Sequence, residues 1–207
     1  MNKKIYNQKG FSLFELMVVV AIIAVAAGII LPVYFSMKPT IRVNGAARQI
    51  MGDLMWAKMR AVSENNDYVI AFGSAGPVLS NDTYYIYDDD DNDFGDVGTE
   101  TGELVKTVVI SDEYKDVGYG YVTGINKTDN ITLLAGDAVT FSSSIPAGNI
   151  RWFKFEPNGR SNKSGGIYII LDEDETNGST ERSRAITVIQ TGRIRVYNYN
   201  AGNNQWE

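Results

Sequence analysis

Residues 10–31 read GFSLFELMVVVAIIAVAAGIIL, and the reading of this stretch decides what the rest of the chain has to be. Between Leu16 and Leu31 no side chain is polar. Carrying the run back to Phe11 gives 21 residues broken only by Ser12 and Glu15. About 20 apolar residues in a helix cross the hydrocarbon of a bilayer. The preceding decapeptide, MNKKIYNQKG, carries Lys3, Lys4 and Lys9, and positive charge on that flank holds it in the cytoplasm. A secretory signal peptide has a shorter apolar core with its cleavage site on the far side, whereas here the cut is expected before the run. Glu15 is the exception that carries information. A carboxylate costs roughly 2.5–3.5 kcal/mol at the middle of a membrane helix and less near its end, unless it is paired, so Glu15 calls for a cationic partner. An ordinary signal anchor with Glu15 hydrated at headgroup level is the simpler alternative.

Downstream of the run, Pro32 lacks a helical donor and crowds the turn before it, so a kink or the exit from the bilayer is expected there, with a second bend at Pro39. Val43, Ala47, Ile50, Leu54, Ala57 and Ala61 then recur at steps of four and three, while Arg42, Arg48, Asp53 and Arg60 fall largely elsewhere. That spacing predicts an amphipathic helix laid on a folded domain. A continuous helix from Phe11 to about Val62 would be about 75–80 Å long at 1.5 Å per residue. Gly28, Gly45 and Gly52 either let neighbouring helices approach closely or mark fraying points.

From residue 67 the pattern changes to short β-rich runs punctuated by Gly, Asn, Asp and Ser. Strands are expected at 68–72, 83–87, 104–110, 119–123, 138–141, 151–156, 167–171, 184–189 and 193–197, with variable loops over 111–150. The fold class that follows is α+β: a long N-terminal helix, transmembrane and then amphipathic, packed on an antiparallel β-sheet or β-sandwich domain. The organisation is a leader at 1–10, a transmembrane helix at 11–31, its amphipathic continuation at 32–63 and a globular β-domain at 67–207.

Gly10-Phe11-Ser12-Leu13-Phe14-Glu15-Leu16 resembles the cleavage and methylation signature of type IV pilins and type II secretion pseudopilins. The resemblance implies cleavage after Gly10 by a prepilin peptidase/N-methyltransferase and N-methylation of Phe11. It further implies that Glu15 pairs with the N-terminal amine of a neighbouring subunit. Residues 46–66 followed by 68–72 resemble the GspH/FimT branch, as do Phe155-Glu156-Pro157-Asn158-Gly159-Arg160, residues 166–171, residues 186–188 and residues 192–196. One element departs from the pattern: Ala57-Lys58-Met59-Arg60-Ala61 has lysine where a small residue or arginine is usual. The function implied is a minor pseudopilin of a type II secretion system, anchored in the bacterial inner membrane with its β-domain periplasmic and assembling with other pilin or pseudopilin subunits. The alternative is a FimT-like minor pilin of a type IV pilus that contributes to DNA uptake.

The chain has 19 basic and 25 acidic residues, a net charge of −6, and loss of residues 1–10 removes three lysines and no acid, taking the net charge to −9. That balance does not steer the molecule toward nucleic acid or anionic lipid. There is no cysteine and no histidine, so disulfides are excluded and the commonest general base and zinc ligand are missing. With no nucleophile–base pair and no glycine-rich phosphate loop, an enzyme is not expected, nor a resident cofactor. Two local clusters remain. Asp89, Asp91, Asp93 and Glu100 offer hard oxygen ligands of the kind calcium takes, but Phe94 stands where an EF-hand needs glycine; a solvated hairpin connection is the other reading. The acidic stretch 172–178 reads the same way. Arg193 and Arg195, two apart on a strand, share a face and are expected beside Arg182 and Arg184. The resemblance links Gly-Arg-x-Arg to DNA binding, against which stand the acidic total and the common use of surface arginines in ion pairs.

Overall fold

The computed structural model of the chain describes residues 10–73, 82–90, 104–141 and 150–207. In order, these form α1 (Leu13–Glu64), β1 (Asp67–Phe72), β2 (Thr83–Asp89), β3 (Leu104–Val109), α2 (Ile110–Glu113), β4 (Val117–Tyr119), β5 (Arg151–Phe155), β6 (Gly165–Leu171), α3 (Asp172–Asn177), β7 (Arg184–Val188), β8 (Ile194–Asn200) and β9 (Gln205–Trp206). The class is α+β, with a long N-terminal helix and antiparallel sheets. Two compact units divide at Lys38 and Pro39. The boundary falls inside α1, so the second half of the helix belongs to the globular unit.

In the first unit α1 continues through Pro32, whose missing N–H leaves the carbonyl of Gly28 without its helical donor. Its large apolar side chains, from Leu13 through Leu16, Ile22 and Ile29 to Met37, are all exposed. In the second unit Val43, Ala46, Ala47, Ile50, Leu54, Ala57 and Ala61 are fully buried, as the spacing predicts. The larger of them contribute about 1.5–3 kcal/mol each on burial, and the alanines admit the sheets close to the helix axis. The opposite face is not uniformly polar as an amphipathic helix would have it: beside exposed Arg48 it carries apolar side chains. Ile41, Met55, Met59 and Val62 are all about half exposed or more, Met59 at 66%, with Gly52 open to solvent among them.

One sheet has the order β3-β2-β1-β5 and the other β4-β6-β7-β8-β9, and every pairing is antiparallel. Tyr68, Ile70 and Phe72 of β1 alternate into a core that also takes Phe153 and Phe155 of β5, Ile167 and Ile169 of β6 and Ile186 and Val188 of β7. Phe72 joins the sheets, meeting Phe141 and Phe153 in stacked geometry and Tyr119 of β4 edge-on at 5.8 Å. Asp53 of α1 fixes the first sheet, accepting a hydrogen bond from Tyr84 Oη and pairing with Lys106 Nζ at 2.6 Å.

Three expectations are corrected. The expected strand at 119–123 lies two residues earlier, because β4 pairs Val117 with Leu171 and Tyr119 with Ile169. Residues 138–141 contribute only a bridge between Val139 and Ile167. The described part of 111–150 is not loose loop: Ile125 and Leu134 are buried with Tyr168, Ala185, Tyr199 and Trp206 in a second apolar cluster. Trp206 Nε1 donates to the Asn126 carbonyl at 2.7 Å, and the Asn130 side chain both donates to and accepts from the Trp206 backbone.

Candidate functional site

The segment expected to be cleaved and methylated lies where α1 begins. Gly10 and Phe11 are exposed ahead of the helix. Ser12 caps it, its Oγ accepting from the Phe14 N–H at 3.3 Å and its carbonyl from the Leu16 N–H at 3.1 Å. Glu15 stands three residues after the cap, in the first turn, where a carboxylate is favoured by the positive end of the helix dipole. Ser12-x-x-Glu15 is thus the sequence pattern of a capping box, a helix-start signal that the resemblance to a cleavage motif had hidden. Among the described residues no cation of the chain pairs with Glu15.

The two arginines of the tail lie on the outer face of the second sheet. Between β7 and β8, Ile189 and Arg193 close a three-residue turn, with Gly192 left-handed at φ +74°. Arg193 and Arg195 are exposed and share a cleft of about 110 Å³ with Thr187, Ile189 and Tyr197. Arg195 donates to Tyr197 Oη at 3.3 Å, and neither arginine pairs with a carboxylate among the described residues. Arg182 and Arg184 do not join them, contrary to expectation. The period of two puts Arg184 on the same face as Ile186 and Val188, toward α1, where it is buried and donates to Asn44 Oδ1 at 2.8 Å and to the Ser183 carbonyl. Burial depresses its guanidinium. Arg182 is turned to Asp174, which it grips with Nε at 2.7 Å and with Nη2.

Of the carboxylates set aside for calcium, Asp91, Asp93 and Glu100 lie outside the described residues. Asp89 ends β2, fully buried, with Lys154 Nζ 4.0 Å from it and bonded more closely to Asp67. A buried, lysine-flanked carboxylate is a structural ion-pair geometry, and among the described residues no cluster of three acidic, histidine or cysteine side chains is arranged to hold a metal. The second acidic stretch is no loop: it is α3, ended by Gly178 in the left-handed conformation, with Asp174 buried beneath Arg182.

Sequence reasoning missed how three separate stretches meet. The turn at Gly159 and the turn at Gly192 touch so closely that a Cβ on Gly192 would stand 1.9 Å from the Gly159 carbonyl oxygen. Lys58 of α1 reaches the same point and donates to the Gly192 carbonyl at 2.9 Å. Lysine at this place is therefore a tie from the helix to the β7–β8 turn.

Residues 5–31 match the prokaryotic N-terminal methylation motif, and residues 46–192 match the family of the type II transport protein GspH. Among solved structures, the type IV minor pilin FimU of Pseudomonas aeruginosa aligns at 15% identity over 74% of this chain and 90% of that one, with a TM-score of 0.42. The minor pseudopilin EpsH from the type 2 secretion system of Vibrio cholerae aligns at 9% identity over 76% and 97%, with a TM-score of 0.44. No curated protein matches the chain.

Proposed function

This chain belongs to the family of the type II transport protein GspH, and from that premise we propose that it is a minor pseudopilin of a type II secretion system, working by assembly. The observation that carries the reading is the bare apolar surface of α1 between Leu13 and Met37, headed by one carboxylate at Glu15. In water that surface is untenable; in lipid, and then against the helices of neighbouring subunits, it is covered. Prepilin peptidase cuts after Gly10 and methylates the new amine at Phe11. The helix over 11–31 holds the subunit in the inner membrane, Pro32 marks its exit, and the domain stands in the periplasm. On incorporation, Glu15 meets the amine of the adjacent subunit, an ion pair that removes the cost of a charge in an apolar filament core.

Mass spectrometry of the protein recovered from native membranes checks the first step. The expected N-terminus is a methylated Phe11; an intact decapeptide overturns the reading. Glu15→Ala is expected to be cleaved normally and to remain in the membrane without entering filaments. Deleting the gene is expected to abolish secretion through the system while pili persist; the opposite pattern moves the subunit to a type IV pilus.

A further inference from the structure

β8 presents an edge. Its pairing with β7 is anchored at both ends by the hydrogen bonds Tyr199 N–H to Ser183 carbonyl and Ile189 N–H to Arg193 carbonyl. The alternation of an antiparallel ladder then turns the N–H and C=O of Tyr197 and Arg195 toward β7 and those of Ile194, Val196 and Asn198 away from it. Asn198 exchanges both outward bonds with Glu207 at 2.9 Å, and β9 continues only to Asn200. Among the described residues nothing pairs with the outward groups of Ile194 and Val196.

The side chains along the same strand alternate. Ile194 and Val196 pack on the main core, while Arg193 and Arg195 project to the outer face with no carboxylate beside them. Open strand edges pair with added strands. Residues directly opposite in such a pair put their Cβ atoms about 4.5–5.5 Å apart on the same face. A strand laid along β8 would thus carry one residue against each arginine and an apolar residue between them.

We infer that the β8 edge over residues 193–196 docks an extended polypeptide segment of another protein, with acidic side chains at alternate positions and apolar ones between. The two features select the occupant together. A polypeptide matches both the backbone donors and the backbone acceptors at Ile194 and Val196, whereas a phosphate chain accepts from the N–H groups but has no donor for the carbonyls. Two arginines on a protein of net charge −6 match a short run of carboxylates better than a long polyanion.

The test uses the full chain in detergent micelles and a labelled peptide of alternating glutamate and valine, followed by fluorescence anisotropy. Binding is expected, weakened at least tenfold by Arg193→Ala/Arg195→Ala and by raised salt, with amide exchange slowed at Ile194 and Val196. A peptide N-methylated on alternate amides, so that it keeps its charges but cannot pair, is expected not to bind. Three results would each overturn the inference: no binding of the glutamate peptide, equal binding of its N-methylated or lysine counterpart, or full displacement by stoichiometric duplex DNA. Unchanged circular dichroism in the double arginine variant ties its loss to the side chains. Leader processing is independent of this readout, so failure here leaves the assembly reading standing.

Discussion

Two helix or turn glycines of this chain have opposite reasons for being there. Gly52 sits on the outer face of α1 with no atom within reach of an added Cβ, so alanine there removes backbone freedom from the unfolded chain and meets nothing. Gly52→Ala is expected to gain about 0.5–1 kcal/mol. Gly192 needs a left-handed backbone and stands against the Gly159 carbonyl, so alanine is blocked twice over. Gly192→Ala is expected to cost about 2 kcal/mol or more. Urea melts of the two variants check the pair, and equal midpoints would contradict the packing of the two turns. Gly45 shows a third use: the ring of Tyr114 occupies the place where its Cβ would be. For Gly45 and Gly52 the sequence offered fraying or filament packing, because what decides, a ring from far along the chain at one and open space at the other, is not local.

Among the elements, α1 and the central strands were the legible ones. The buried stripe Val43, Ala47, Ile50, Leu54, Ala57, Ala61 was readable because its spacing is a property of one helix alone. α3 was not readable, since Asp172-Glu173-Asp174-Glu175 has the composition of a solvated run. What makes it a helix is the Gly178 cap and the ion pair of Asp174 with Arg182, eight residues further on. Asp174 is 1% exposed and held by both Nε and Nη2 of Arg182. Removing one partner strands the other charge, so Asp174→Ala is expected to cost about 3 kcal/mol. Asp174→Ala/Arg182→Ala should cost less than the sum of the single changes, a coupling that thermal melts of the four species measure. The tail arginines were misjoined for a similar reason. Counting residues along a hairpin put four arginines in one patch, whereas the ladder register sends Arg184 inward and leaves Arg193 and Arg195 outside.

At the scale of the whole molecule, titration has a sign on each side of pH 10. The Lys163 ammonium lies over the Trp152 ring, 3.3 Å from its centre, and donates to the Trp152 carbonyl; burial pushes it down to about 8. An unfolded lysine holds its proton to about pH 10.4, so from about pH 8 upward the unfolded chain binds more protons and stability rises. Burial pushes the phenols of Tyr68, Tyr84 and Tyr119 well up. Above about pH 10 the unfolded tyrosines ionise first and stability falls. Urea midpoints are expected to rise from about pH 7 to about pH 9.5 and to drop by about pH 11. Lys163→Met should remove the rise and leave the drop. Neither arm was visible in the sequence, because one depends on which ring Lys163 is laid over and the other on which phenols the fold buries.

The division of the interior into two apolar clusters has an optical corollary. Trp56, carried by α1, packs against the main cluster, while Trp206 is embedded in the smaller one among Tyr168, Tyr199 and Ile125. Each compartment therefore houses its own indole chromophore. Replacing Trp152, which belongs to neither cluster, and one of these two indoles by phenylalanine makes the emission of the remaining one a private gauge of its compartment, so loosening at the C-terminal hairpin can be watched while the helix-backed interior stays intact.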